Sequence, residues 1–126
     1  MRRELAASLR PEVLVAVAAL AAACGPKSRP AFDAAAAPKG TGWFCYQHEQ
    51  PGTVSAGICY REREGCAARA TSDGNVPCNG VERAYCMDLH PDGPHDVQCF
   101  ATAEDCEKVV AEQGPPATPS QCAELQ

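Results

Sequence analysis

No two cysteines in this chain stand close enough to form a Cys-x-x-Cys pair. The shortest spacing leaves six residues between Cys59 and Cys66, and again between Cys99 and Cys106. That absence argues against zinc ribbons and iron–sulfur clusters, and against thioredoxin-like redox chemistry and c-type haem attachment. No Gly-x-Ser-x-Gly elbow surrounds Ser55, Ser72 or Ser120, so the hydrolase turn that exposes a serine nucleophile is missing. There is no glycine-rich phosphate loop. Histidine is scarce, with only His48, His90 and His95. A metal site could be drawn from them with Asp88, Asp92 and Asp96, but histidines beside proline–glycine turns are expected to be solvated. No metal, no cofactor and no catalytic residue is therefore expected. Positive charge is short as well: 11 Lys and Arg stand against 16 Asp and Glu, for a net charge of −5. The acid is concentrated in residues 81–126, where Arg83 and Lys108 face nine carboxylates. Nucleic-acid binding requires a basic face, so no nucleic-acid partner is expected, and the acid reads as a solvated surface. The apolar run Val13–Ala23 has eleven residues, too few for a membrane-crossing helix of ~20.

Cysteine itself is abundant. Nine occur in 126 residues, and eight of them form a pattern that occurs twice. Cys45, Cys59, Cys66 and Cys78 are separated by 14, 7 and 12 positions; Cys86, Cys99, Cys106 and Cys122 by 13, 7 and 16. The neighbours agree too. Trp43-Phe44-Cys45-Tyr46 aligns with Ala84-Tyr85-Cys86-Met87, and Cys59-Tyr60 with Cys99-Phe100. A self-match of this kind points to a small repeated unit, with boundaries at 43–80 and 81–126. A unit of roughly 40 residues buries too little apolar surface to fold without staples. Structural disulfides formed in an oxidising compartment answer that need.

Ahead of the pattern, Met1-Arg2-Arg3 and Arg10 precede the apolar run Val13–Ala23, which has the length of a signal-peptide core. Small residues then lead into Cys24. Residues 1–25 resemble the leader of bacterial lipoproteins, in which a short Leu-rich box ends in a cysteine that is acylated and becomes the first mature residue. Here Leu20 stands four positions before Cys24, with Ala21-Ala22-Ala23 between, and the same alanines would satisfy an ordinary Ala-x-Ala cleavage site. Cysteine parity favours the lipoprotein reading, because Cys24 is the odd one outside the duplicated pattern. The resemblance implies a signal peptide over 1–23, a membrane partner reached through lipid on Cys24, and, with Gly25 following, export to the outer membrane. Residues 24–42 hold Pro, Gly, Ala, Ser and Lys with Phe32 as the single large apolar side chain. That composition predicts a flexible tether.

Within the first unit, Trp43–Gln47 and Gly57–Arg61 are rich in strand formers and flank the turn signal Glu49-Gln50-Pro51-Gly52. Glu62–Thr71 reads as a short helix with Cys66, Ala67 and Ala70 at helical spacing. The second unit repeats this with strands at Ala84–Leu89 and Val97–Ala101. Its helix opens at Thr102, where Thr102-Ala103-Glu104-Asp105 matches a capping box, and stops at Gly114-Pro115-Pro116. Strand alternation puts Cys45 on one face and Phe44 and Tyr46 on the other. If the cysteines face the helix, Phe44, Tyr46, Ile58 and Tyr60, with Tyr85, Met87 and Phe100, form the opposite face. Those apolar faces either pack together or share one sheet, or stay open as a candidate binding face. Four cysteines allow three pairings. The hairpin geometry gathers Cys45, Cys59 and Cys66 at one end, which leans toward Cys66 bonding a strand cysteine, with two bridges inside each unit and none between.

The expected fold is therefore a small disulfide-rich α+β protein built from two tandem hairpin-plus-helix units. The expected role is non-enzymatic: a lipid-anchored module of the cell envelope for binding, adhesion or envelope structure, with an envelope protein or polysaccharide as possible partner. The alternative is a secreted, disulfide-stapled inhibitor or effector that presents loops 48–56 and 90–96.

Overall fold

The computed structural model describes residues 29–126. Cys24 and the signal segment lie outside the described residues. Eight regular elements follow a single 3₁₀ turn at Ala34–Ala36: β1 (Trp43–His48), β2 (Ala56–Tyr60), α1 (Arg63–Ser72), β3 (Asn79–Val81), β4 (Ala84–Asp88), β5 (Val97–Phe100), α2 (Ala103–Glu112) and β6 (Ala123–Leu125). The strands form one antiparallel sheet in the order β3-β1-β2-β5-β4-β6. The protein is thus small, α+β and disulfide-rich. Among the described residues no helix is long and apolar enough to cross a membrane.

The local signals form as their chemistry dictates. Thr102 caps α2, its Oγ1 accepting from the Asp105 N–H at 3.0 Å. Glu62 sits at the same place before α1 without a side-chain cap bond, because a glutamate there is longer than the preferred capping side chains. The short edge strands β3 and β6 are not signalled by the sequence. They have three residues each, and β3 is exposed throughout, so no period-2 pattern marks them.

Four disulfides close within their own halves: Cys45–Cys59, Cys66–Cys78, Cys86–Cys99 and Cys106–Cys122. The lean toward a helix-to-strand bridge is overturned. Cys45 lies directly opposite Cys59, and Cys86 opposite Cys99. Each of these pairs has Cα atoms 4.0 Å apart. That is the close approach of a pair that exchanges no main-chain hydrogen bonds, where side chains of facing strands come nearest. The two strand cysteines consume each other. Each helix cysteine instead reaches down the chain, to Cys78 or Cys122, and ties the helix to the segment leading into the next edge strand. Each bridge spans 12 to 16 residues and contributes about 3 kcal/mol through loss of unfolded-chain entropy.

The faces are also the reverse of expectation. Both helices cover the aromatic side. Tyr46, with Phe44, Ile58 and Tyr60, packs around Cys66 and Ala70 of α1. Met87 and Phe100, with Ile58 and Tyr85, pack around Cys106 and Val110 of α2. Tyr46, Met87 and Phe100 are buried, and the other four are half-buried. The candidate binding face is therefore a core in one shared sheet. The strand cysteines lie on the other side with Trp43 and Ala84. Small half-cystines make that face thin, and the segment expected to be a flexible tether covers it over its described part, 29–42. Phe32 packs there, the Pro30 carbonyl accepts from the Gln121 N–H at 2.8 Å, and Arg29 pairs with Glu107 at 2.9 Å. Arg61 binds the strap at its far end. Its guanidinium lies 3.7 Å over the Trp43 ring and donates to the carbonyls of Pro38, Gly42 and Gln126 at 3.2, 3.0 and 2.7 Å.

Because Phe100 is 2% exposed at the centre of the helix-covered face, Phe100→Ala leaves a cavity and should cost about 3–5 kcal/mol. Thermal melts with disulfides intact measure it, and an unchanged melting temperature would contradict the packed face.

Candidate functional site

The two hairpins meet along one seam, β2 against β5, with Ile58 opposite Phe100 and Cys59 opposite Cys99. The Ala101 N–H donates to the Gly57 carbonyl at 2.9 Å, so the hydrogen-bonding positions of this seam are 57/101, 59/99 and 61/97. At one end the strands are drawn tight. A Cβ on Gly57 would lie 2.8 Å from the Ala101 Cβ, and the Gly57 N–H is taken by the Asp105 carboxylate at 3.0 Å. At the other end the seam opens, and no main-chain hydrogen bond joins Arg61 to Val97.

Over this seam the helices leave a valley. Its larger part, about 470 Å³, is walled by Arg69 and Asp73 of the α1 side and by Asp96 and Gln98 of the β5 side, with Tyr46 and Tyr60 behind. It reaches through the open seam to Trp43 and Pro38. A second part of about 330 Å³ adjoins it at His48, Ile58 and Gln98 and is walled by Val54, Phe100 and Val109. One end is polar and the other apolar.

Asp73, at the C-terminus of α1, organises the polar end. Its Oδ2 accepts from the Tyr46 hydroxyl at 2.8 Å and meets His48 Nδ1 at 2.5 Å, and its Oδ1 accepts from Gln50 Nε2 at 3.0 Å. The bonds from His48 and Tyr46 hold the Asp73 carboxyl below the ordinary aspartate range. Burial, followed by the bond to Asp73, pushes the Tyr46 phenol above its usual value. Tyr60 is raised too, chiefly by burial. The two tyrosine rings lie parallel within 5°, with centroids 6.5 Å apart.

Thr53 Oγ1, His48 and Asp73 stand in the order of a catalytic relay, with Thr53 Oγ1 3.3 Å from His48 Nε2. The hydroxyl donates to the Gln50 carbonyl at 2.9 Å, however. A neutral His48 that donates Nδ1–H to Asp73 has only an accepting Nε2, so the Thr53 hydroxyl serves either the Gln50 carbonyl or the imidazole, not both at once.

The second half has its own buried carboxylate. Asp88 is 1% exposed; its Oδ1 accepts from the N–H groups of His90 and Asp96 at 2.9 and 3.0 Å, and its Oδ2 meets His95 Nδ1 at 2.6 Å. Ser120 docks on the same residue, its Oγ accepting from the Asp88 N–H at 2.9 Å and its N–H donating to the Asp88 carbonyl at 2.8 Å. Here burial opposes the charged carboxyl, but the bonds from Asp96, His90 and His95 outweigh it and hold the pKa below the usual range. His48 and His95 thus serve separate aspartates, and among the described residues no three His, Cys, Asp or Glu converge as a metal site. Sequence reasoning singled out His48 but missed Tyr46 and Asp73 as its partners. The only available signal was that Tyr46 and His48 alternate onto one face.

The Asp88 network predicts a pH window. A carboxyl with a depressed folded pKa stabilises the protein above its unfolded value, ~3.9, and loses that contribution as pH falls through the folded value. Asp88→Asn should cost about 1.5–3 kcal/mol at neutral pH. In thermal melts the gap to wild type should be constant down to pH ~4 and close below it; a gap that is independent of pH would place the effect elsewhere. No family model, curated protein or solved structure matches this chain.

Proposed function

We propose that residues 43–126 are one four-cysteine unit used twice, and that the pair is a non-enzymatic binding module held at the bacterial cell envelope by lipid on Cys24. Corresponding elements support the duplication. The strand order reads outward from the seam as β2-β1-β3 on one side and β5-β4-β6 on the other. Both helices have ten residues, and both halves hold one cross-strand bridge and one helix-to-tail bridge. The observation that carries the anchoring is the use of cysteine: the eight beyond residue 43 are consumed in four bridges, which leaves Cys24 for acylation.

The strap gives the anchor a geometric consequence. Arg29 is tied to the body through Glu107 and Gln121, so only residues 24–28 lie between it and the lipid. Five residues reach at most ~17 Å. The body would sit against the membrane surface rather than project from it, on the outer membrane in a cell that has one. Binding suits this design better than turnover, since each helix walling the valley is held by a disulfide to the segment that follows it.

Growth with a labelled fatty acid tests the anchor. Label is expected on the wild-type chain and absent from Cys24→Ser. Label that survives the substitution would overturn Cys24 as the lipid site, and an intact mass showing an unmodified Cys24 would favour the secreted inhibitor or effector.

A further inference from the structure

The two halves offer an internal comparison at the valley. Under the duplication proposed above, Tyr46, His48, Tyr60, Arg69 and Asp73 correspond to Met87, Leu89, Phe100, Val109 and Gln113. Asp73 and Gln113 both follow the last residue of their helices, so the correspondence holds in the fold as well as in the spacing. The second half builds the same sheet and helix with apolar side chains at four of these places and a neutral amide, Gln113, at the fifth. The second half carries its own carboxylate network in the loop around Asp88 instead, so a polar set over the seam is not needed to fold the unit, and its presence in the first half calls for another reason.

The charges in the valley limit what that reason can be. Arg69 is exposed beside Tyr60 and, among the described residues, forms no ion pair. Asp96 and Gln98 line the opposite wall. A simple anion would meet the aspartates and a simple cation the arginine. A neutral hydroxyl suits both walls, because it accepts from a guanidinium or amide while donating to a carboxylate. The half-buried Tyr60 ring, backed by the parallel ring of buried Tyr46, adds an apolar plane against which the C–H face of a ring can lie. The space of about 470 Å³, which includes the part that reaches through the seam to Trp43 and Pro38, is in the range of small-molecule sites.

We propose that the polar end of the interhelical valley binds a neutral sugar ring, stacked on Tyr60, with its hydroxyls shared among Arg69, Asp96 and Gln98. This rests on the reading of the chain as a binding module and names its ligand class. The adjoining apolar end, lined by Phe100 and Val109, would receive an apolar substituent on that ring.

The test uses the full chain, disulfides intact, isotope-labelled and kept in a sugar-free detergent. It is titrated with glucose, N-acetylglucosamine, cellobiose and maltose, with glucuronate as the anionic counterpart and octyl glucoside, below its micellar concentration, as the amphipathic one. Saturable amide shifts around Tyr60, Arg69 and Gln98 are expected with at least one neutral sugar. Tighter binding of octyl glucoside than of glucose would assign a glycolipid source; equal binding would assign a soluble or polymeric glycan. Arg69→Val and Tyr60→Phe install the second half's own residues, so the fold should persist. Arg69→Val should weaken binding about tenfold or more. No shift with any neutral sugar at millimolar concentration, tighter binding of glucuronate, or undiminished binding by Arg69→Val would each overturn the sugar site. A phosphate or peptide probe that shifted the same residues would sink the sugar while sparing the binding module. The anchor is read separately, by acylation.

Discussion

One row of half-cystines across the middle of the sheet sets the terms for everything else. Cys45, Cys59, Cys99 and Cys86 stand side by side on four successive strands, with two bridges along the row and one hydrogen-bonded pair between them. Antiparallel strands bring alternate facing residues unusually close, so this row is where short crosslinks fit. Once it is made, the strand cysteines are unavailable to the helices. The helices must then be stapled through Cys78 and Cys122, and they must settle on the other face, where side chains large enough to form a core remain. Their placement over Tyr46, Met87 and Phe100 follows from that constraint.

The same row explains the strap. A face floored by sulfur and alanine is thin and cannot be left in water beside Trp43. Phe32 and the Arg61 clamp cover it. Arg61 suits the task because its fork of donors can serve several carbonyls at once while its flat face rests on an indole. The strap thereby shortens whatever separates the body from Cys24, so a packing requirement on one face of the sheet bears on how near the membrane the proposed binding module would lie.

On the helix face the constraint is geometric. Each helix is cross-linked to its own half, so the two cannot close over the seam between them. The valley is what is left. Its apolar end continues the α2 core, whereas its polar end is organised by Asp73, which gathers Tyr46, His48 and Gln50 from β1 and the turn after it. Those partners are far from Asp73 in sequence, and nothing in composition connects them. Asp88 does the corresponding work locally, drawing His90, His95 and Asp96 into its own loop.

Local chemistry was readable from the chain. The hairpins were marked by strand formers around Pro-Gly turns, and α2 by the Thr102 cap and the Gly-Pro-Pro stop. These depend on residues within a few positions of one another, and local energetics decides them. The faces, the bridge partners and the valley were decided only in three dimensions. Alternation says that Phe44 and Tyr46 oppose Cys45; it does not say which side a helix will take, because either side can be buried. That choice goes with which cysteines pair across β1–β2 and β4–β5. The strap was hidden for the same reason: a Pro- and Ala-rich segment has no pattern of its own, and its order comes from the thin face it covers. Asp73 and Tyr46 meet only because a disulfide-held helix ends above a strand 27 residues earlier, a distance no sequence window spans.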